Sequence, residues 1–96
     1  MNQYLIQYRP PRATFIEDAT EAETNAVGEH FEYLKALLEQ GTLILAGRTD
    51  DASVGLFIFE AENDEAAETI RKNDPAVQAG VFSAEVKLFR LALIRK

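Results

Sequence analysis

His30 is the only histidine in a sequence of 96 residues that contains no cysteine. The lack of cysteine excludes disulfides, thiolate nucleophiles and cysteine-ligated metal centres, which leaves chemistry based on oxygen and imidazole. An imidazole titrates near neutral pH without help from its surroundings, so His30 is the first candidate for a general acid or base. The alternative is a packed or solvated histidine on the edge of an apolar helix.

Asp74 is the candidate for a carboxylate partner of His30. It precedes Pro75 at the predicted end of the second helix, in a short segment that must return the chain to a central strand. A carboxylate that is hydrogen-bonded to one imidazole nitrogen fixes the tautomer and leaves the other nitrogen free to take a proton from a substrate. The alternative role of Asp74 is that of a turn or cap residue.

Arg48 is a candidate for substrate binding, because a guanidinium can hold an anionic group with two parallel hydrogen bonds. A solvated arginine beside a hairpin tip is the alternative. The pair Asp50–Asp51 is typical of a turn and one histidine is too few for a typical zinc site, so no metal is expected. Ser53 and Ser83 lie outside any strand–turn–helix elbow that would expose a nucleophile. No glycine-rich phosphate loop is present, and we expect no cofactor.

The overall composition narrows the class of protein. Sixteen acidic residues against 10 basic ones give a net charge of -6, which argues against a nucleic-acid partner because neutralising phosphates requires clustered cations. No apolar run approaches the roughly 20 residues that span a bilayer, so no membrane association is expected. The first residues lack the pattern of a secretory signal, which predicts a cytoplasmic protein. At this length, residues 1–96 are expected to form one domain.

The candidate residues must be positioned by the elements around them. Alternating apolar residues over 3–8 predict a first strand, which the Pro10–Pro11 pair ends. A polar connection then leads to Thr20, which forms a predicted capping box with Glu23 at the start of a helix that runs to about Gln40.

Two adjacent apolar stripes run along this helix. The main buried stripe is predicted to consist of Val27, Phe31, Leu34 and Leu38. The second stripe beside it contains Ala26, His30, Tyr33 and Leu37. Gly41 follows as a residue suited to the left-handed position after a helix.

The remaining elements predict a sheet with two apolar faces. Residues 43–46 and 54–59 read as a hairpin that is apolar on both sides, so we expect a second copy of the sheet to cover the face that the helices leave open. Asn63 is expected to cap a second helix over 64–72. In the last strand, apolar residues change parity near Leu88–Phe89, which predicts either a bulge or contact with another surface such as a partner subunit.

The resulting order is βαββαβ, a ferredoxin-like α+β arrangement in which an antiparallel sheet carries two helices on one face. We expect a homodimer whose sheets face each other. Most aromatic residues are expected in the core, although one or two of them are candidates for lining a pocket for a planar ligand. These residues are Tyr4, Phe57, Phe59, Phe82 and Phe89.

Three stretches of the sequence together resemble a known family, the YciI-like (YCII-related) proteins. They are residues 30–34, residues 37–47 with the glycine after the helix, and the Asp-Pro turn with its continuation, residues 74–82. The resemblance extends over nearly the whole chain. It implies a dimeric α+β barrel built from ferredoxin-like protomers, with a proposed His–Asp active-site dyad that falls on His30 and Asp74. Where many members have a proline after the glycine of the second strand, this chain has Arg48.

The resemblance also implies a class of chemistry. Related barrel proteins include an isomerase of a lactone and a dehydrochlorinase of a chlorinated hydroxyhydroquinone, so kinship favours an isomerase or lyase type of proton transfer on a small cyclic or aromatic metabolite. In this hypothesis His30 is the acid or base, Asp74 orients it, and Arg48 helps to hold an anionic ligand. Because one fold supports many functions, the second hypothesis is a non-catalytic module that binds a metabolite or a partner through the same cavity.

Overall fold

The structure is a computed structural model that describes residues 1–95. Four strands form one antiparallel sheet in the order β2-β3-β1-β4. Along the chain the elements are β1 (Asn2–Arg9), α1 (Phe15–Asp18), α2 (Glu21–Glu39), β2 (Leu43–Arg48), β3 (Gly55–Ala61), α3 (Asp64–Lys72), α4 (Pro75–Gln78) and β4 (Ser83–Phe89). This is the predicted ferredoxin-like α+β fold with two one-turn helices added, α1 and α4.

The core lies between one face of the sheet and helices α2 and α3. Alternate residues of the two central strands point to this face, and α2 and α3 contribute small and branched side chains opposite them. The buried cluster includes Tyr4, Ile6, Phe57, Phe59, Leu34, Leu37 and Ala67. Burial of each large apolar side chain contributes about 1.5–3 kcal/mol, so this layer orients the helices on the sheet.

Helix α2 begins as the sequence predicts and is rotated differently from the prediction. The side chain of Thr20 accepts a hydrogen bond from the Glu23 amide, and the Glu23 side chain accepts one from the Thr20 amide, which completes the capping box. The helix ends before Gly41, whose φ is +80°. A left-handed residue at this position satisfies the last carbonyls of a helix.

The predicted main stripe of α2 is wrong, because Phe31 and Leu38 are 60% and 55% exposed. The neighbouring stripe faces the core instead: Ala26, His30 and Leu37 are buried and Tyr33 is half-buried, and of the predicted main stripe only Leu34 is buried. The predicted stripe is the more apolar of the two, so hydropathy alone selects the wrong face of α2. The second stripe is held inward by polar contacts: His30 bonds to Asp74, and the Tyr33 hydroxyl donates to the Ile70 carbonyl at 2.7 Å.

The last strand differs from two expectations. Strand β4 lies at the edge of the sheet, whereas β1 and β3 are central. Its pairing with β1 is unbroken from Ser83 to Phe89, so the predicted bulge is not there. The parity change arises because the chain leaves the sheet after Phe89, and Leu91 and Leu93 lie beyond the strand with exposed side chains.

The short helix α4 was not predicted from the sequence, and neither was α1. Asp74 is the N-cap of α4 and Pro75 occupies its first turn, where the missing amide hydrogen costs nothing. Asn63 caps α3 as predicted, by accepting a hydrogen bond from the Ala66 amide at 2.8 Å. Within residues 1–95, no helix has both the length and the hydropathy that a membrane crossing requires.

Candidate active site

The His30–Asp74 dyad is formed by two elements that pack against each other. His30 lies on the buried side of α2, and Asp74 precedes α4. The His30 Nδ1 atom is 2.6 Å from Asp74 Oδ2, and the two side chains are only 6% and 4% exposed. Because the carboxylate accepts the hydrogen bond, the Nδ1 atom carries the proton and Nε2 is the nitrogen that can accept another.

Asp74 uses its two oxygens for two different tasks. Oδ2 contacts His30, while Oδ1 accepts a hydrogen bond from the Ala76 amide at 2.9 Å as the helix cap. The two roles considered for Asp74 from the sequence are therefore present together. The cap holds the carboxylate still, so that the imidazole is presented in one orientation; a catalytic role for the pair stays a prediction.

The second imidazole nitrogen, His30 Nε2, is buried and has no hydrogen-bond partner within residues 1–95. An unpaired buried polar group costs about 1–3 kcal/mol, so this atom marks a place where a ligand or water would be stabilised. Its surroundings are aromatic. The Tyr8 ring centroid lies 4.9 Å from that of His30 and the Phe82 centroid 5.2 Å, both in edge contact.

A cavity of about 250 Å³ lies on the other side of these rings. Its walls are mostly apolar, with the aromatic side chains of Tyr8, Phe15 and Phe82 and the charged side chain of Arg48. Neither His30 nor Asp74 lines it directly. Tyr8 and Phe82 line the cavity and also contact His30, so a single layer of aromatic rings separates the dyad from the cavity.

Arg48 is at the end of β2, exposed, and lies at the cavity without contacting the dyad. Its Nη1 atom donates to the carbonyls of Thr49 at 2.9 Å and Asp50 at 3.1 Å. These bonds tie the guanidinium to the hairpin turn. The structure therefore places Arg48 in the wall of the cavity, where a charged group can meet a ligand.

The acidic residues of the same hairpin serve the turn. Asp51 Oδ1 accepts hydrogen bonds from Thr49 Oγ1, Ser53 N and Ser53 Oγ at 2.8–3.0 Å. These bonds stabilise the ionised form and lower the pKa of Asp51 to about 2. In the part of the chain that the structure describes, no group of three or more His, Asp and Glu side chains is arranged to hold a metal ion.

Two phenols near the dyad are held in their protonated form. Burial and the negative charge of Asp74 raise the pKa of Tyr33 to about 12. Burial and, next, Asp74 also raise the pKa of Tyr8, while the Arg48 charge lowers it in part. At neutral pH both side chains are therefore hydrogen-bond donors, and Tyr8 is the one that lines the cavity.

Helix α1 is held beside the cavity by a group of residues that we call the Arg12 clamp: Arg12, Asp18 and Glu23. Arg12 Nε donates to Asp18 Oδ1 at 2.9 Å, and its two Nη atoms donate to the Glu23 carboxylate at 2.8 and 2.9 Å. These bonds lower the pKa of Glu23 to about 2. The clamp positions Phe15, whose ring lies edge-on to Phe82 at 6.2 Å.

Sequence reasoning missed part of this site. Phe82 was expected in the core, with pocket lining as the alternative, and it is half-buried at the cavity, while Tyr4, Phe57 and Phe59 are fully in the core. Phe15 lay in a stretch predicted to be a polar connection. The signal that could have found it is the apolar pair Phe15–Ile16, because two adjacent large apolar residues in a polar loop require something to cover.

Comparison with known proteins places the chain in a family. The profile of the YCII-related domain matches residues 4–90. The chain belongs to this family. No curated protein matches the sequence.

Several solved structures share the fold of this YCII-related protein. A 5-chloro-2-hydroxyhydroquinone dehydrochlorinase from Burkholderia phenoliruptrix, solved with 2,5-dihydroxybenzoquinone, has a TM-score of 0.68 and 22% identity, covering 93% of this chain and 95% of that one. Muconolactone isomerase has a TM-score of 0.71 and 15% identity, covering 94% and 90%. A protein from Agrobacterium tumefaciens has a TM-score of 0.52 and 16% identity, covering 94% and 93%. At these identities the likeness establishes the fold.

Proposed function

We propose that this YCII-related protein is a small enzyme that transfers protons on a small cyclic or aromatic metabolite. One observation carries the proposal: His30 Nδ1 is bonded to Asp74 at 2.6 Å while Nε2 has no partner within residues 1–95. That is the arrangement in which an imidazole accepts a proton at one nitrogen while a carboxylate stabilises the resulting cation.

Each residue has a stated part in this reaction. His30 Nε2 takes a proton from the substrate and returns it at another position or releases it with a leaving group. Asp74 keeps the tautomer fixed and stabilises the imidazolium. Arg48 attracts an anionic substrate into the cavity. The reaction class requires no cofactor, since acid–base chemistry uses only the side chains.

The names of two structural neighbours support this class as the first to test. One is an isomerase and the other a dehydrochlorinase, and both names describe reactions of small ring compounds. The aromatic rings around the cavity suit a planar ligand for a physical reason, because stacked and edge contacts between rings add to the energy of burial. The neighbours' substrates serve as the starting set for a screen.

We also propose that the protein is a homodimer joined through the open face of the sheet. This face carries Leu5, Leu56 and Ile58 on the central strands and Leu45, 44% exposed, on β2. Small chains gain stability when such a face is covered. The change Leu45→Glu should convert dimer to monomer in light scattering, whereas Leu38→Glu, equally apolar and exposed on α2, should not. A wild-type monomer would contradict the proposal.

The alternative function is a metabolite-binding module in which the dyad is a polar anchor. One observation favours it: His30 is 5% exposed and does not line the cavity. A buried histidine that never meets a ligand would be structural. The two functions differ in whether a bound compound is converted.

The experiment begins with a search for ligands. Thermal stabilisation of the purified protein by small aromatic acids, lactones and quinone-like compounds reports binding, because a ligand raises stability with the logarithm of its concentration over Kd. Compounds that bind are then tested for conversion. For a converted compound, His30→Asn should lower kcat by roughly 10²- to 10⁴-fold. Unchanged turnover in a folded variant would end the enzymatic proposal, and binding without conversion would favour the module.

A further inference from the structure

One row of residues runs across the sheet beneath the cavity. Tyr8 on β1 pairs directly with Gly55 on β3, and Gly55 pairs directly with Arg48 on β2. Residues that are directly opposite in a sheet point to the same face. All three line the cavity, so the row forms its floor.

The absence of a side chain at Gly55 leaves room for the Tyr8 ring in this row. A Cβ atom at position 55 would lie 2.3 Å from Cε2, 2.4 Å from Cζ and 2.7 Å from the hydroxyl oxygen of Tyr8. No side chain other than hydrogen fits beneath the ring. The phenol of Tyr8 therefore lies over Gly55, the residue of the row between Tyr8 and Arg48.

The two polar ends of the row are both hydrogen-bond donors. The raised pKa of Tyr8, due first to burial and then to the charge of Asp74, keeps the phenol protonated at neutral pH. Arg48 uses Nη1 for the turn carbonyls and has five N–H groups in all. Among the described residues that line the cavity, Arg48 is the only charged one. The polar part of the cavity therefore favours a ligand atom that accepts hydrogen bonds and carries negative charge.

We propose that Tyr8 and Arg48 form an oxyanion site, which binds the oxygen of a phenolate, enolate or carboxylate on a planar ring. The apolar body of such a ligand would lie against Phe15 and Phe82, the two other rings in the wall. Tyr8 is then a substrate-binding residue that selects for ligands with an oxygen at this point. A ring of the same shape without that oxygen would leave the two donors unpaired.

The oxyanion site rests on the proposed function, because the negatively charged oxygen would form during the proposed proton transfer. In a substrate that reaches His30 Nε2 past the Tyr8 and Phe82 rings, removal of a proton from a carbon beside a carbonyl moves the electron pair of the broken C–H bond onto the carbonyl oxygen. Tyr8 and Arg48 donate hydrogen bonds to that oxygen as its charge develops. The electron pair returns when a proton is delivered to another carbon, so the step needs neither an oxidant nor a reductant.

The test uses 4-nitrophenol, whose absorbance distinguishes the phenol from the phenolate, and nitrobenzene as the same ring without the hydroxyl group. The wild-type protein should bind the phenolate in preference to the phenol, and more tightly than nitrobenzene. Tyr8→Phe should weaken phenolate binding by roughly 10- to 100-fold and leave nitrobenzene binding unchanged, because the charged oxygen loses a donated hydrogen bond that nitrobenzene does not have. Arg48→Gln should act in the same direction.

A matched control is Tyr4→Phe. Tyr4 lies on the same face of β1, and its hydroxyl donates to Asp64 at 2.8 Å, away from the cavity floor. This variant should bind 4-nitrophenolate as the wild type does. Gly55→Ala displaces the Tyr8 ring and should bind 4-nitrophenolate as weakly as Tyr8→Phe does. If Gly55→Ala does not fold, the Tyr8→Phe variant still decides the test.

Three results would overturn the inference: equal phenolate binding by the wild type and Tyr8→Phe, no preference for phenolate over nitrobenzene, or no binding of phenolate by the wild type. Binding of this probe involves no proton transfer. Failure of the oxyanion site is therefore distinguished from failure of the dyad, which is measured by turnover in His30→Asn.

Discussion

Two groups of hydrogen-bonded, ionisable side chains join neighbouring segments of this protein, and they lie in opposite environments. The His30–Asp74 dyad joins α2 to α4 with side chains that are 6% and 4% exposed. The Arg12 clamp joins α1 to α2, and Arg12 and Asp18 are 37% and 52% exposed. Both groups flank the same cavity, the dyad behind its aromatic wall and the clamp beside its outer helix.

Burial determines how tightly each of these polar contacts holds its geometry. When a buried partner is removed, the remaining group has no water to replace it, so the geometry is held tightly. When an exposed partner is removed, water takes its place and salt screens what remains. The dyad is therefore suited to present one imidazole nitrogen in a fixed direction. The clamp is suited to hold a segment that can open, and Ile16 of that segment is itself mostly exposed.

The largest effect is expected from the dyad. Asp74→Ala should lower the free energy of unfolding by roughly 3 kcal/mol, because it leaves His30 Nδ1 and the Ala76 amide without their partner. Urea unfolding at pH 7 measures the loss. The control is Asp18→Ala, which removes an exposed carboxylate from the clamp and should cost much less. Equal losses would show that burial does not separate the two regions.

A smaller and local effect is expected from the clamp. Arg12→Ala should raise amide hydrogen exchange in Phe15–Asp18 severalfold and leave the exchange of α4 unchanged, because water replaces the lost contacts and only α1 is released. Mass spectrometry of peptides from the two regions measures this. Lys35→Ala, which removes another exposed ion pair on α2, should leave α1 as in the wild type. Unchanged exchange in Arg12→Ala would mean that other contacts hold α1.

The smallest effect is expected when acidic pH removes the contribution of the Arg12 clamp to the free energy of unfolding. The pKa of Glu23 is lowered to about 2 in the folded chain. As the pH falls, the Glu23 carboxylate is therefore protonated in the unfolded chain before it is protonated in the folded chain. The contribution of Glu23 is complete above about pH 5 and is lost as the pH falls from about 4 toward 2. Between pH 6 and pH 3, Glu23→Gln should lose less stability in urea than the wild type. The exposed control Glu29→Gln should lose as much as the wild type, and an equal loss in Glu23→Gln would contradict the assignment.

Much of the fold could be predicted from local patterns. The capping box at Thr20 and Glu23, the Asn63 cap and the glycine after α2 depend on contacts within a few residues, and these formed as expected. The rotation of α2 was not predictable in the same way. The more apolar stripe faces outward, because the choice between the two stripes depends on partners 37 and 44 residues away along the chain.

In the candidate site, too, some residues could be predicted from the sequence and others could not. His30 could be singled out as the only histidine and Asp74 by its place before Pro75, and the resemblance to the YCII-related family paired them. Phe15 could have been found only from the apolar pair Phe15–Ile16 in a polar stretch. The contribution of Tyr8 could not be seen, since an aromatic residue in a strand has the same pattern whether it fills a core or lines a cavity.

The available chemistry and the starts of the two long helices could be read from residue types and short-range hydrogen bonds, because both are properties of neighbours along the chain. The tertiary structure alone decided that His30 is buried behind Tyr8 and Phe82, that Arg48 faces the cavity, and that α1 is held beside it by Arg12. These facts come from contacts between residues that are distant in sequence. Such contacts exist only once the sheet and helices have packed, and they can turn inward a face of a helix that is not its most apolar one.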